Sequence, residues 1–335
     1  MNLAKEPFFG LARKTACLLM AVMGVCTAVS GPTPWTHLDF QDDAEDFRFA
    51  IIPDRGGGDL RGAFTNALDR VDRMRPNFIM SVGDLVNGLC PTAEWNRQQD
   101  ELTNLVSRLR APFFAVVGNH DIGVSRKNDP DGNERSKAVW QSHFGTNTYY
   151  SFVYKRCLFL VLNTSDGRRK DLKQQVPITD EQYAWARQTL KEYADVRWTF
   201  VFMHQPDAWR WTTWKNFEKD ALGSRKYTVF AGDWHKYFHV RRNGHDYYIL
   251  SVAGGVGDEA YRRGEKDKSR LAGPDFGEMD HITWVTMCKD GPSVMNLTLD
   301  GMLPGDYLNR SNTKADVSNL PDLDEPSLGG DGTSR

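Results

Sequence analysis

Five short apolar runs recur along the chain, and each one ends abruptly in polar residues. In chain order they read RFAIIPD, NFIMSVGD, FFAVVGNHD, TFVFMHQ and YTVFAGDWH. Runs of this length that are bounded by turn-forming residues are typical of buried β-strands. Since parallel strands end at the same edge of a sheet, the polar residues after these runs are predicted to lie side by side.

Between the first strands, apolar residues recur at helical spacing. The stretches 59–75 and 92–109 each place their apolar side chains on one side of a helix. A third helix is predicted over 182–193, because Thr179 and Gln182 form a capping-box pattern ahead of it. Strand–helix–strand units of this kind predict a largely parallel arrangement in the first half of the chain.

The N-terminal thirty residues have the order of a secretory signal. Basic residues precede an apolar stretch at 16–29, and residues 28–30 fit a small-residue cleavage site. We therefore expect residues 1–30 to be a signal peptide and the protein to be exported, either periplasmic or secreted. The apolar stretch is short for a membrane span, so no stable span is expected after cleavage, and an uncleaved anchor is the alternative.

The rest of the chain divides by composition. Residues 31–46 form a polar lead-in, 47–305 alternate strands and helices as one domain, and 306–335 are predicted to be a disordered tail. Polar loops at 127–136 and 258–280 interrupt the domain. The formal net charge is −2 and there is no sustained basic run, which disfavours binding to duplex nucleic acid. The oligomeric state is left open.

Three cysteines lie outside the signal, at Cys90, Cys157 and Cys288. An odd number allows at most one disulfide, and its pairing stays open. Cys157 and Cys288 lie in apolar strand-like runs and are predicted to be buried.

The residues that end the five strands carry oxygen and nitrogen donors. The motifs are Asp54-Arg55-Gly56, Gly83-Asp84, Gly118-Asn119-His120-Asp121, His204 and Gly232-Asp233-Trp234-His235. A single Asp-Gly pair is more often a simple turn. Five such motifs in one chain favour a pair of divalent metal ions bound at the sheet edge.

This order of motifs resembles the calcineurin-like metallophosphoesterases, whose blocks read D-x-H or D-x-G, G-D, G-N-H-D/E, H and G-H-x-H. The likeness runs from about Phe47 to Gly301. It implies an α/β fold, a four-layer α/β/β/α sandwich of two mixed sheets flanked by helices. It also implies hydrolysis of a small-molecule phosphate monoester or diester by a two-metal hydroxide mechanism.

The resemblance also implies roles for individual residues. The metal ligands would be Asp54, Asp84, Asn119, His204, Asp233 and His235. Asp84 would bridge both ions, Asp54 would bind the first ion and Asn119 the second. His120 would protonate the leaving-group oxygen, and Asp121 would orient the His120 imidazole and raise its basicity.

Two departures from the family pattern affect the metal ligands. Gly56 stands where many members carry a metal-binding histidine, and Asp233 stands where most carry the first histidine of the last block. Oxygen ligation in place of nitrogen favours Mn²⁺, Mg²⁺ or iron, with Zn²⁺ also possible. Asn87 could supply an oxygen ligand, or the first metal could keep more waters. Arg55 either binds a substrate phosphate oxygen or forms a salt bridge at the rim.

The same departures keep a second function open, namely a catalytically reduced protein of this fold that binds a ligand or contacts the cell envelope. The retained GNHD motif and the two histidines His204 and His235 favour the enzyme. Substrate identity is not specified. Three tryptophans follow His204, at Trp209, Trp211 and Trp214, and are predicted to pack against the sheet edge rather than to cap a pocket.

Overall fold

The computed structural model describes residues 43–56, 62–123, 132–145, 148–165, 178–255, 277–299 and 303–304. The predicted signal peptide, most of the lead-in, the tail, most of the 258–280 loop and residues 127–131 of the other polar loop lie outside these residues, whereas 132–136 belong to a helix. Within the described ranges, no helix combines the length and apolar character needed to cross a membrane.

Two mixed sheets form the centre of the fold, as the resemblance implied. The strands are β1 (Phe47–Ile52), β2 (Phe78–Ser81), β3 (Phe113–Phe114), β4 (Tyr150–Tyr154), β5 (Cys157–Val161), β6 (Trp198–Phe202), β7 (Tyr227–Ala231), β8 (Phe238–Arg242), β9 (His245–Ile249), β10 (His281–Met287), β11 (Pro292–Thr298) and β12 (Leu303–Pro304). The first sheet has the order β12-β11-β10-β1-β2-β3, and the second has the order β4-β5-β6-β7-β9-β8.

The predicted parallel strands form one side of the first sheet and the middle of the second. In the first sheet β1, β2 and β3 are parallel, and β10 joins β1 in the antiparallel sense. In the second sheet β5, β6, β7 and β9 are parallel, with antiparallel β4 and β8 at the edges. The carboxyl ends of β1, β2, β3, β6 and β7 therefore carry the segments that contain the predicted site.

Helices cover the outer face of each sheet. They are α1 (Ala63–Met74), α2 (Thr92–Val106), α3 (Asn119–Ile122), α4 (Gly132–Phe144), α5 (Asp180–Glu192) and α6 (Thr212–Phe217), with a 3₁₀ helix at Pro206–Arg210 and a π-helix at Glu218–Leu222. Ala50 and Ile52 of β1 face the core shared with α1, whereas Phe49 and Ile51 face the other sheet. This alternation, which follows from the two-residue period of a strand, gives the expected four layers.

Phenylalanines fill the space between the sheets. Phe49 and Phe78 of the first sheet meet Phe159 and Phe200 of the second, with ring centroids 5.0 Å apart for Phe78–Phe159 and 5.2 Å apart for Phe49–Phe200. Aromatic pairs of this kind contribute about 0.5–1.5 kcal/mol each beyond the area they bury. The strands that carry the site are therefore fixed on a tightly packed aromatic layer.

The start of α5 corrects one prediction. Thr179 Oγ1 accepts a hydrogen bond from the Gln182 backbone N–H at 3.2 Å, as the capping pattern predicted. The side chain of Gln182 does not return to Thr179, because it bonds the backbone N–H and carbonyl of Asn163 at 2.7 and 2.9 Å. Gln182 thus ties α5 to the end of β5.

The aromatic and cysteine predictions are largely confirmed. Trp209 and Trp214 are fully buried in the core beside the second sheet. Cys157 is buried, as predicted, but Cys288 is half-buried because it lies in the turn after β10 rather than inside the strand. The three cysteines of the described chain are free thiols.

Candidate metal centre

Loops from both sheets meet at one point beyond the carboxyl ends of their parallel strands. The Asp233 backbone N–H, after β7, donates to Asp54 Oδ2, after β1, at 2.7 Å. His204, after β6, places Nδ1 2.8 Å from the carbonyl oxygen of Val82, after β2. These contacts between the two sheets bring the predicted site residues into a single cluster.

The centre of the cluster is a buried trio of Asp54, Asp84 and His204. Each offers a ligand atom within 4.8 Å of the others, and all three side chains are almost completely buried. His204 Nε2 lies 3.2 Å from Asp84 Oδ2. Because His204 Nδ1 donates to the Val82 carbonyl, the lone pair of neutral imidazole is on Nε2 and faces the carboxylates.

The other three predicted ligands border this trio. Asn119 Oδ1 and Asp233 Oδ1 lie 3.1 and 3.3 Å from His204 Nε2. His235 Nε2 lies 3.7 Å from Asp54 Oδ2. The structure thus brings together all six residues to which the resemblance assigned metal binding.

Glycines in the motifs make room for these carboxylates. A Cβ atom on Gly118 would lie 2.2 Å from Asp84 Oδ1, and one on Gly232 would lie 2.2 Å from Asp54 Oδ1. Both distances are shorter than any real contact, so any larger residue would displace a carboxylate. The glycines of GNHD and GDWH are therefore required by packing around the site.

Three of the predicted ligands have left-handed backbone conformations. The φ angles are 50° at Asp84, 69° at Asp233 and 52° at His235. Such conformations are uncommon for residues other than glycine and cost about 1–3 kcal/mol each. Strain of this kind concentrates at functional sites, where surrounding contacts hold it in place.

The electrostatics of the trio favour a bound cation. Burial, and then repulsion from Asp84, raise the pKa of Asp54 well above its ordinary value. Burial opposes the charging of His204, but the charges of Asp84 and Asp54 outweigh it and raise the His204 pKa. Burial also opposes ionisation of Asp84, yet attraction to His204 and His120 holds the Asp84 pKa below its usual range.

The buried Oδ1 of Asp54 also has no hydrogen-bond partner among the described residues. Clustered buried carboxylates with an unpaired oxygen and a histidine nitrogen fit a divalent cation.

Asp121 does not have the expected contact with the His120 imidazole. Its Oδ1 accepts hydrogen bonds from the backbone N–H groups of Leu85 and Val86 at 2.9 and 3.2 Å, and its Oδ2 accepts one from Gly118 at 2.8 Å. Burial, with repulsion from Asp84, raises the Asp121 pKa to about 7. Asp121 therefore holds the loop that carries Asp84, and the prediction that it orients His120 is wrong.

A backbone carbonyl takes the place that was expected for Asp121. His120 Nδ1 lies 2.6 Å from the carbonyl oxygen of Asn87, and His120 Nε2 lies 3.9 Å from Asp84 Oδ2. The His120 side chain is 23% exposed, more than any member of the trio, so its ring can meet a ligand from solvent. Asn87, expected as a possible metal ligand, thus contributes its main-chain oxygen to His120.

Arg55 matches the salt-bridge alternative. Its Nη2 lies 2.6 Å from Glu101 Oε1, and its guanidinium lies 5.0 Å above the ring of Phe64. The backbone N–H of Arg55 also donates to the Asp84 carbonyl at 3.0 Å. These contacts give Arg55 a role in fixing the rim of the site.

Gly56 has no room for the histidine that many family members carry. Its backbone N–H donates to the Asp84 carbonyl at 2.6 Å, and a Cβ atom would lie 2.5 Å from the Val86 carbonyl oxygen. The backbone around position 56 therefore accepts glycine and excludes the histidine found in many family members.

One neighbour of the site was not predicted. Gln205 Nε2 lies 3.4 Å from Asn119 Oδ1 and can orient that amide. The only signal in the sequence was its position directly after His204.

The comparisons with known proteins agree with this geometry. Residues 47–251 match the family described as calcineurin-like phosphoesterase. The uncharacterized protein YvnB of Bacillus subtilis (strain 168) is 24% identical over 141 residues, which cover 41% of this chain and 10% of YvnB. The chain therefore spans about a tenth of the length of this curated relative.

Solved structures share the fold. The structure of PhoD matches with a TM-score of 0.54 at 12% identity and covers 81% of this chain and 73% of that chain. A dimetal phosphatase from Danio rerio matches with a TM-score of 0.54 at 13% identity and covers 78% of this chain and 99% of that chain. At these identities the likeness concerns the fold alone.

Proposed function

Because the chain belongs to the calcineurin-like phosphoesterase family, we propose that it hydrolyses a phosphate ester with two divalent metal ions. The observation that carries the proposal is the buried trio of Asp54, Asp84 and His204, in which one Asp54 oxygen has no partner among the described residues. A purely structural cluster of buried acids would be costly, since buried charges are normally paired within the protein.

The ions would be held by Asp54, Asp84 and His204, with Asn119, Asp233 and His235 completing the two sites. When bound, such ions stabilise negative charge on phosphoryl oxygens and make a water molecule more acidic. The left-handed backbone at Asp84 and Asp233 keeps their carboxylates close to His204 before any ion arrives. The ligand positions are therefore set in advance by the fold.

His120 is the residue that we assign to proton transfer. Because its Nδ1 lies against the Asn87 carbonyl, its Nε2 is the nitrogen that can give a proton to the leaving-group oxygen. The imidazole is partly exposed and lies beside the metal ligand Asp84, as a group acting on a substrate oxygen requires. Arg55 acts through the loop that it braces rather than on the substrate.

The test begins with metal analysis of the purified protein, followed by a panel of phosphate esters with each metal. We expect close to two ions per chain and turnover of at least one ester. In His120→Ala the metal content should stay unchanged, while the rate falls roughly 100-fold or more for esters with poor leaving groups. The fall should be smaller for nitrophenyl esters, whose leaving oxygen needs little protonation.

The same experiment separates the proposal from its alternative. Metal binding without turnover of any ester would support a catalytically reduced binding protein of this fold. Loss of metal in His120→Ala would contradict the assignment of that residue to proton transfer.

We also propose that Asp233 affects which metal ions and which phosphate esters the site prefers. Its carboxylate adds a negative charge beside His204 Nε2, where a histidine would be neutral. More oxygen ligation favours Mn²⁺, Mg²⁺ or iron over Zn²⁺, and a less positive site attracts a dianionic monoester less than a monoanionic diester.

The variant Asp233→His tests this effect of charge. Compared with the parent on a matched monoester and diester, under saturating Mn²⁺ and then Zn²⁺, it should gain on the monoester and tolerate Zn²⁺ better. A variant that does neither would show that Asp233 makes no contact with the metals.

A further inference from the structure

A second polar cavity lies at the opposite end of the second sheet from the metal centre. It has a volume of about 510 Å³ and is lined by Lys215, Glu218, Lys219, Gly223, Tyr227, Arg242 and Asn243. Tyr227 begins β7, whereas Asp233 follows the end of that strand. Six residues of extended chain separate the two positions by roughly 20 Å.

One side of the cavity is a buried ion pair that is complete in itself. Glu218 and Arg242 are 5% and 6% exposed, and Arg242 Nη2 lies 2.5 Å from Glu218 Oε2. The other Glu218 oxygen accepts a hydrogen bond from the Tyr247 hydroxyl. Both carboxylate oxygens of Glu218 are therefore satisfied by the protein.

The cavity also contains donors that are not used within the described chain, whereas the Tyr227 hydroxyl is bonded to Glu218 and Tyr247. The buried Nε of Arg242 has no hydrogen-bond partner within the described chain. Lys215 and Lys219 line the same cavity, both are exposed, and neither is ion-paired with a described residue. With Glu218 balanced by Arg242, the two lysines leave the lining with an excess of two positive charges.

The backbone at this place is also unusual. Glu218 and Lys219 open a π-helix that runs to Leu222 directly after α6. Such segments are rare and often occur at functional sites, because the wider turn moves side chains out of helical register. Here the π-helix places Glu218 in the core and Lys219 at the cavity.

From this arrangement we infer that the cavity binds a small organic anion through a phosphate or carboxylate group. Its volume lies in the range of about 300–1,000 Å³ that is typical of small-molecule sites and exceeds what a single oxyanion needs. Lys215 and Lys219, which both line the cavity, would contact the anionic group. The inference is independent of the hydrolytic reaction at the metal centre.

The test measures binding to the full chain after chelation and desalting, so that no bound metal ion attracts the anionic probes to the metal centre. The probes are inorganic phosphate, adenosine monophosphate and citrate, titrated separately by calorimetry at low ionic strength. We expect saturable binding of at least one probe at one site per chain. Binding of adenosine monophosphate alone would indicate a phosphorylated ligand, and binding of citrate alone would indicate a carboxylate.

The double variant Lys215→Gln, Lys219→Gln is expected to fold, since both side chains are exposed. It should weaken binding at least about tenfold, a change of about 1.4 kcal/mol in binding free energy, because it removes both lysine charges from the lining. The matched control is Lys289→Gln, an exposed lysine after β10 of the other sheet, which should leave binding unchanged. The inference would be overturned if no probe binds, or if the double variant and the parent bind equally well.

Discussion

The metal centre and the far end of the second sheet bury acidic side chains in opposite ways. Beyond the carboxyl ends of the parallel strands, Asp54 and Asp84 lie against His204, and Asp54 keeps one oxygen without a partner in the described chain. At the other end, Glu218 has an arginine and a tyrosine hydroxyl on its two oxygens.

The difference shows that buried charges which the protein itself does not balance indicate a binding site. At the far end the buried Glu218–Arg242 pair is balanced without any added ion, so this pair serves the fold. The metal end is balanced only when a cation joins it, so the fold gives up some stability there for binding. Substitutions at the two ends should therefore change stability with opposite signs.

The largest effect is expected for Asp54→Asn. Metal binding should weaken, and kcat/KM should fall at least about 1,000-fold, because bound ions supply several kcal/mol of transition-state stabilisation. In the metal-free protein the same variant should raise Tm, since it replaces a carboxyl group whose ionisation is opposed chiefly by burial. Metal analysis, ester turnover and thermal melts of chelated protein measure the three effects.

The matched control is Asp246→Asn at the opposite end of the sheet, where the carboxylate pairs with His239 at 2.9 Å. It should leave metal content and turnover unchanged. A fall in the metal-free Tm of Asp54→Asn would show that the metal end is not destabilised by its own charges.

The next largest effect is expected for the buried ion pair of Glu218 and Arg242. Arg242→Met leaves Glu218 buried without its counter-charge and should lower the free energy of unfolding by about 3–5 kcal/mol. Urea unfolding of the metal-free protein measures this change. The double variant Glu218→Gln, Arg242→Met should recover most of the loss, and a single variant as stable as the parent would contradict the comparison.

The smallest effect concerns a third way to bury a titratable group, which is to keep it neutral. His281, at the start of β10, is fully buried, and burial lowers its pKa to about 4. The unfolded chain, with a pKa of about 6.5 at this histidine, binds more protons between these two values. The contribution of neutral His281 to the free energy of unfolding is therefore fully present above about pH 6.5. It is lost as the pH falls toward about 4, by up to about 1.4 kcal/mol per pH unit.

Replacing the His281 imidazole by an uncharged amide tests whether this histidine makes the protein less stable as the pH falls. In His281→Gln, the free energy of unfolding of the metal-free protein should vary less with pH between about 4 and 6.5 than in the parent. Urea titrations at several pH values provide the measurement. Equal pH dependence in both proteins would mean that His281 is protonated in the fold.

The sequence could predict the strands and the groups at their ends, because apolar runs and motif order are local features. It could not predict the partner of His120, since that partner is the backbone carbonyl of Asn87 and every residue has one. Two of the three amide partners of Asp121 come from a loop 35 and 36 residues earlier, so its role depended on the fold. Glu218 and Arg242 lie 24 residues apart and form no motif, so the second cavity had no sequence signal.

Gly56 has a consequence for how this site can change over generations. A Cβ atom at position 56 would collide with the Val86 carbonyl, in the same loop that carries Asp84. A single step from glycine to histidine would therefore disturb a metal ligand before it could add a new one. A lineage could gain the histidine only after another mutation had moved the loop at 84–86. The loop mutation must therefore come first and Gly56→His second, and this order follows from the backbone contact rather than from selection on metal affinity.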